Sequence, residues 1–382
     1  MTTMAGVGAP APPPDARSRS RDHRGSPIPT GAMIATRFME LRKRRGLMIA
    51  LIAVTIGIPT VFLATRLLLH AIAPKSYGPA GGYDIYAALT AGVLYTFGFI
   101  IAATLGCTAG AVDLPEGMFR HLVVTGRSRL ALYLARIPAG LAIIIPLVAV
   151  GFSIVCAVCV LAAPATLNFN GLKVPAGLSL SKLETFAADH PTEVVCDLPY
   201  DGPLDVAARC GNGPAGPGGP FVPGPDGNRG SATPAQLRTA AIEIAKQNYP
   251  EYKARFVYPP VSLMIKTGLW LELEAAIGLV VGLGLGSLLG QRTVAVILMI
   301  VLEIVLTPIF IRARIPHLEN LQRAVVGIAT AHLEPGQLPL LFGGGGRDFR
   351  LTESTTTAVL VILAWLLGWT ALGAWRMMTR DA

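Results

Sequence analysis

Along this chain, long runs of apolar residues alternate with short polar breaks, and the length of each run decides what it is. About 20 apolar residues cross the hydrocarbon core of a bilayer as one helix. Six runs qualify, roughly Leu47–Leu69, Ile85–Val112, Leu130–Ala163, Val261–Leu289, Val294–Ile311 and Thr356–Trp375. The third is overlong, which predicts a start in the interface and a bend at Pro138 or Pro146, tolerable where neighbouring helices satisfy the freed carbonyls. The pattern predicts an all-α polytopic membrane protein with six transmembrane helices.

The segments outside the runs differ in kind. Residues 1–32 are rich in Pro, Ala, Ser and Arg with little to bury, which predicts a disordered cytoplasmic tail. From Met33 to Gly46, Ile34, Phe38 and Leu41 fall on one side of a helix and the cations on the other. That is an amphipathic elbow lying in the inner interface, or else a plain basic flank of the first span. Spans 1–3 with the elbow make up residues 33–163. Residues 164–260 form the one sizeable polar loop, extracytoplasmic between spans 3 and 4. Its middle, 211–230, is Gly and Pro at most positions without a strict three-residue period, and so reads as an open linker. After it, Thr233-Pro-Ala-Gln236 has the order of a capped helix start, and Leu237, Ala241 and Ile244 give that helix an apolar face. The core so supplied is thin for independent folding. In the last part, 261–382, Leu318, Leu321, Val325 and Ile328 put one apolar side on a segment too polar to span, a predicted outer interfacial helix at about 316–332.

Composition agrees with the run lengths. Of 382 residues 52% are hydrophobic and 14% charged, and the mean hydropathy is +0.55, too apolar for an ordinary soluble domain. A formal charge of +9 raises a nucleic-acid reading. The basic residues, however, cluster at the ends of apolar runs with no interleaved aromatics, so topology explains them better. With the N-terminus inside, Arg37, Arg42, Lys43, Arg44, Arg45, Arg120, Arg127, Arg129, Arg292, Arg376 and Arg380 are cytoplasmic, and an even span count returns the C-terminus inside. Arg312, Arg314, Arg323, Arg347 and Arg350 then face outward, against the trend. The first apolar run is long enough to span and lacks a small-residue cleavage site, so no secretory signal is expected.

One polar island stands out, Asp113-Leu-Pro-Glu-Gly-Met-Phe-Arg-His-Leu-Val-Val-Thr-Gly-Arg-Ser-Arg129, between the second and third runs. Asp113 caps a predicted helix over 113–126, Pro115 falls in its first turn, Glu116 completes a capping box and Gly126 stops it. Leu114, Met118 and Leu122 make an apolar stripe, while Glu116 and Arg120 are spaced for an i,i+4 pair. On periodicity alone this is a helical loop lying on the membrane surface. The order of Glu116, Gly117, Leu122, Thr125, Ser128, Arg129 and Arg136 resembles the loop between the second and third spans of ABC-2-type transporter permeases. Met118 departs from the usual Thr and Gly126 from the usual Pro. The resemblance implies a coupling helix pressed on a separate ATPase, with Asp113, Glu116, Gly117, Arg120, Arg127 and Arg129 as the coupling residues. It also implies pairing as a homo- or heterodimer in the cell membrane, and such families commonly have an elbow helix and short outer helices before the last span.

Few residues are placed for chemistry. No phosphate-loop motif is present, so ATP and magnesium are expected in the partner ATPase and no cofactor in this chain. No zinc-protease motif, nucleophile elbow or EF-hand occurs, and the six His are scattered, so neither a metal site nor a catalytic residue is expected. Glu272, Glu274 and Glu303 lie within apolar runs, where an ionisable group costs at least about 2.5 kcal/mol and should face protein or water. They are candidates for an intramembrane polar path for substrate or protons, or else they serve packing, satisfied by hydroxyls or by Lys266. Arg136 is expected to snorkel to the inner face. Gly278, Gly282, Gly286 and Gly290 recur every four residues, a bare ridge for an internal helix contact or a dimer seam. Of five cysteines, Cys107, Cys156 and Cys159 lie in apolar runs, while Cys196 and Cys210 share the outer loop and would bridge on an oxidising side.

The function expected from the resemblance is the membrane-spanning permease subunit of an ATP-driven ABC-2-type exporter, embedded in the lipid bilayer, with no nucleic-acid partner. Two rivals remain: a membrane scaffold or sensor that binds a partner through its outer loop, and an intramembrane enzyme acting on lipid-linked substrates.

Overall fold

The computed structural model describes residues 27–111, 128–169, 172–197, 221–223, 229–231, 233–254, 257–312, 317–335 and 354–379. Most of the tail, the whole of the predicted coupling helix with Asp113, Glu116, Gly117, Arg120 and Arg127, and Cys210 lie outside them, as does the Cys196 side chain. The six apolar runs are six helices, Arg45–Ile72, Tyr83–Ala111, Arg129–Leu161, Val261–Leu289, Arg292–Phe310 and Thr355–Thr379, all long and apolar enough to cross a membrane. We refer to them as spans 1 to 6. The chain divides into two compact units, one of residues 1–62, 87–155 and 262–382, the other of 63–86 and 156–261.

The first unit is held by backbone contact between spans 2 and 4. A Cβ on Gly278 would lie 2.6 Å from the Phe99 carbonyl oxygen, one on Gly282 would strike that of Ala103, and one on Gly286 would lie 2.6 Å from that of Cys107. From the other side, Gly106 and Gly110 press in the same way on the backbone at Leu279 and Leu283. Residue numbers rise together on both helices, so the two run parallel. The glycine ridge is therefore an internal contact in this unit, continued by Gly284 against Trp369 of span 6. Gly290 is not part of it: with φ of 70° it ends span 4, its N–H bonded to the Gly286 carbonyl.

Prolines shape the other spans. Pro59 removes the N–H that Thr55 would otherwise receive four residues on, the adjoining Ala53–Gly57 turn is π-helical, and Gly151 of span 3 packs against the Thr55 carbonyl. Span 3 breaks at Ala135 into Arg129–Leu134 and Arg136–Leu161, which puts Pro138 in the first turn of the second piece, where its missing N–H is harmless; Pro146 is carried inside. The helix Gly31–Lys43 precedes span 1. It buries Met33, Arg37 and Leu41, with Ile34 and Phe38 half-buried, so its inward stripe is turned from the one read in the sequence. Met33 packs on Ala131, Leu132 and Ala135 at the start of span 3, and Arg37 pairs with Glu40 at 2.7 Å.

The second unit has more core than its composition suggested. A two-stranded antiparallel sheet, Thr166–Phe169 with Leu172–Pro175, and the helices Leu180–Asp189, Pro191–Asp197 and Pro234–Ala254 enclose Leu172, Leu183, Val195, Ala241 and Ile244. The Tyr252 hydroxyl donates to the Pro175 carbonyl at 2.5 Å and accepts from Leu178 N–H at 2.9 Å. The cap at Thr233 is reciprocal: Gln236 N–H donates to Thr233 Oγ1 at 3.3 Å and Thr233 N–H to Gln236 Oε1 at 2.9 Å.

Because the spans 2 and 4 seam leaves no room for a side chain, Gly282→Ala is expected to cost about 1–3 kcal/mol by overpacking. Gly368→Ala, where an added methyl meets nothing within 4 Å, is expected to be neutral. Thermal unfolding of the purified protein in detergent distinguishes the two.

Candidate functional site

Two of the three intramembrane carboxylates come together. The parallel register that sets Phe99 against Gly278 and Ala103 against Gly282 continues one turn back, placing Tyr95 of span 2 opposite Glu274 of span 4. Tyr95 stacks on Trp270 of span 4 with ring centroids 4.6 Å apart and planes 6° from parallel. Span 5 adds Glu303, on a π-helical turn at Val301–Leu306. Pro308 there cannot bond the Ile304 carbonyl, and Thr307 Oγ1 reaches back five residues to the Leu302 carbonyl at 3.0 Å. Tyr95 likewise ends a π-helical stretch, Ala88–Tyr95. Glu272, two residues from Glu274, points away from it and is half-buried, so it does not join the pair.

The cluster is closed by a segment that the sequence presented differently. In place of one interfacial helix over 316–332 there are two short helices, Glu319–Arg323 and Val326–His332, and the second is buried from Val326 through Ala331. Gly327 makes this possible: a Cβ there would lie 2.7 Å from Thr307 Oγ1 and 3.1 Å from Glu303 Oε2. Trp270 Nε1 donates to the Thr330 carbonyl at 2.9 Å, and the Tyr95 hydroxyl stands 3.5 Å from both the Gly327 carbonyl and Thr330 Oγ1. Trp365 Nε1 of span 6 donates to the Ala324 carbonyl at 2.7 Å and fixes the turn before the buried helix.

Glu274 is 2% exposed and Glu303 4%. Among the described residues, Glu274 Oε1 and Glu303 Oε2 have no hydrogen-bond partner and neither side chain has an ion-pair partner. Glu303 is the charged group acting on Glu274, whose other polar neighbours are Tyr95 and Thr330. Lys266, the cation the sequence offered as a partner, is not among them. Leaving one buried acceptor unsatisfied costs about 1–3 kcal/mol, so a pair of them is an expensive feature of this core. No group of three or more His, Cys, Asp or Glu side chains suited to a metal gathers among the described residues.

A second polar knot lies at the other end of the span 2 and span 4 seam. Arg136 is 2% exposed and does not snorkel: its Nη1 donates to the Gly110 carbonyl at 3.2 Å, which also accepts from Ser287 Oγ at 3.4 Å. Arg129 donates to the Met378 carbonyl in the last turn of span 6 at 3.2 Å, a favourable place for a cation. Cys107 and Cys159 are buried and Cys156 partly so, all with free thiols.

Tyr95, Trp270, Gly327 and Thr330 carry no local sequence signal, since each is one polar, aromatic or small residue in an apolar run. The chain matches no family model, no curated protein and no solved structure. What the fold and site together define is a helical, multi-pass membrane protein with a carboxyl pair enclosed among its spans.

If the Trp270 bond seats the buried helix, Trp270→Phe costs about 1 kcal/mol. Amide hydrogen exchange over 326–332 is then expected to quicken about fivefold, with the apolar ends of span 4 unchanged.

Proposed function

We propose that this chain is the membrane-spanning subunit of an ATP-driven exporter of the ABC-2 type, working with a separate ATPase. The observation that carries the reading is the residue order of Asp113 to Arg129. Its position supports the same reading, since span 2 ends at Ala111 and span 3 begins at Arg129, so the island fills the turn between them. In this reading 113–126 is the coupling helix and Gly31–Lys43 the elbow. Both termini are cytoplasmic, residues 164–260 lie outside the cell membrane, and the subunit pairs with a second copy or a related chain. ATP and magnesium act in the partner. Closure of the ATPases moves the coupling helices, tilts the spans and passes cargo outward.

A scaffold or sensor is the second reading, favoured by the packed core of the 156–261 region, which is more than a passive loop requires. An intramembrane enzyme is weaker, because Glu274 and Glu303 are enclosed by neighbouring helices and, among the described residues, no phosphate-binding cation stands with them.

Co-expression with the neighbouring genes tests the first reading. An ATPase is expected to elute with the chain from detergent, and to be lost when Glu116→Arg and Arg120→Glu are introduced together. A complex that survives the double reversal would remove the docking assignment, and a kinase or secreted factor eluting in place of an ATPase would favour the sensor.

A further inference from the structure

We propose that Glu274 and Glu303 form a proton-binding site, in which the pair holds at least one proton at neutral pH while the helix Val326–His332 is seated. The inference stands whether or not the chain is an exporter.

Two buried carboxyl oxygens without a partner among the described residues, Glu274 Oε1 and Glu303 Oε2, carry it. Around them stand the Gly327 carbonyl, Thr330 Oγ1 and Tyr95 Oη. The Thr330 hydroxyl is directed at its own helix, 3.1 Å from the Val326 carbonyl and 3.3 Å from that of Gly327. The Trp270 N–H is used by the Thr330 carbonyl. The Tyr95 and Thr330 hydroxyls also serve Glu274, yet Glu274 Oε1 and Glu303 Oε2 receive no hydrogen bond among the described residues. A carboxylic acid answers both needs, because a protonated carboxyl becomes a donor while keeping acceptor capacity.

Charge leads to the same place. Span 2 presents Tyr95 to the pair, span 4 Glu274, span 5 Glu303, and the short helix Thr330 with the Gly327 carbonyl. Span 6 brings Ala358 and Ile362 to the surrounding core, both apolar. Among the described residues no cation acts on either carboxyl. Two like charges enclosed without a counter-charge cannot both persist, so one positive charge must enter with them. Hard divalent cations are held by several carboxylates or carbonyls, and among the described residues no third Asp, Glu, His or Cys joins these two. A proton needs only the two carboxyls.

The site is built to report its own occupancy. Glu303 Oε2 lies 3.1 Å from the place a Cβ on residue 327 would take. Losing the proton would set two anions against each other beneath the seated helix and favour its release.

Infrared spectroscopy of the purified full chain in lipid nanodiscs reads the site directly, through the carboxylic-acid C=O band and its shift in D2O. The wild type is expected to show this band at neutral pH. Glu274→Gln or Glu303→Gln should each diminish it, Glu272→Gln should leave it unchanged, and adding sodium at fixed pH should not alter it. A band that persists at full intensity in both single variants overturns the proposal, as does a wild type without one. Loss of the band on adding sodium overturns it in favour of a metal ion. Glutamine is neutral and nearly isosteric with a protonated carboxyl, so a glutamine variant that fails to fold also counts against it.

Discussion

The structure of the first unit depends on one close approach, the line along which spans 2 and 4 touch backbone to backbone. In lipid no hydrophobic force drives helices together, so association rests on packing and a few polar contacts. Glycines 106, 110, 278, 282 and 286 remove the side chains that would hold the two helices apart. Once they are in contact, four-residue spacing on both sides fixes the register, since a slip by one residue would bring a Leu or Val where a carbonyl now sits. The register sets Tyr95 opposite Glu274 at one end and joins Gly110 to Ser287 at the other. A site that looks assembled from five separate segments thus inherits most of its geometry from a single pairing.

That pairing also explains why the polar groups can be enclosed at all. A tight seam excludes lipid and water alike, and what remains inside must be satisfied by protein. Span 5 and the helix Val326–His332 complete the enclosure, and both use irregular backbone to do so. The π-helical turn at Val301–Leu306 turns Glu303 inward, and the side-chain-free face at Gly327 admits the short helix over it. Irregular backbone is tolerated in a membrane only where protein covers it, so the departure from regular helix and the burial of the carboxyls are one arrangement.

The sequence made the six spans legible because run length against bilayer thickness is a local property, and the same holds for the cap at Thr233 and the glycine ridge. Which face the ridge meets was not legible: four-residue spacing says only that some backbone approaches closely. Glu274 and Glu303 announced themselves as carboxyls in apolar runs. Their companionship, and the exclusion of Glu272, depends on the pairing of spans 2 and 4 and on a π-helical turn, neither of which has a period to read. Arg136 misled for a related reason. An arginine six residues into an apolar run ordinarily reaches for headgroups, but the Gly110 carbonyl, near the end of span 2, was closer. The core of the second unit was underestimated because its two halves, 166–197 and 234–254, are far apart in sequence, and each alone presents only a modest apolar face.

The two polar knots at the ends of the seam have a bearing on how the proposed exporter would transmit work. The segment 112–127 leaves span 2 just beyond Gly110, whose carbonyl is held by Arg136 of span 3 and Ser287 of span 4. Force delivered to that segment by a motor would therefore reach three spans at once. Spans 2 and 4 cannot slide past one another without driving Leu or Val side chains into carbonyls, so the pair would move as a rigid body and tilt. About halfway along the tilting body is the Tyr95 and Trp270 stack, which touches the helix Val326–His332 through Thr330 and Gly327. That helix is short and lies over the carboxyl pair, so a tilt of the two spans would act on the enclosure of the pair through it.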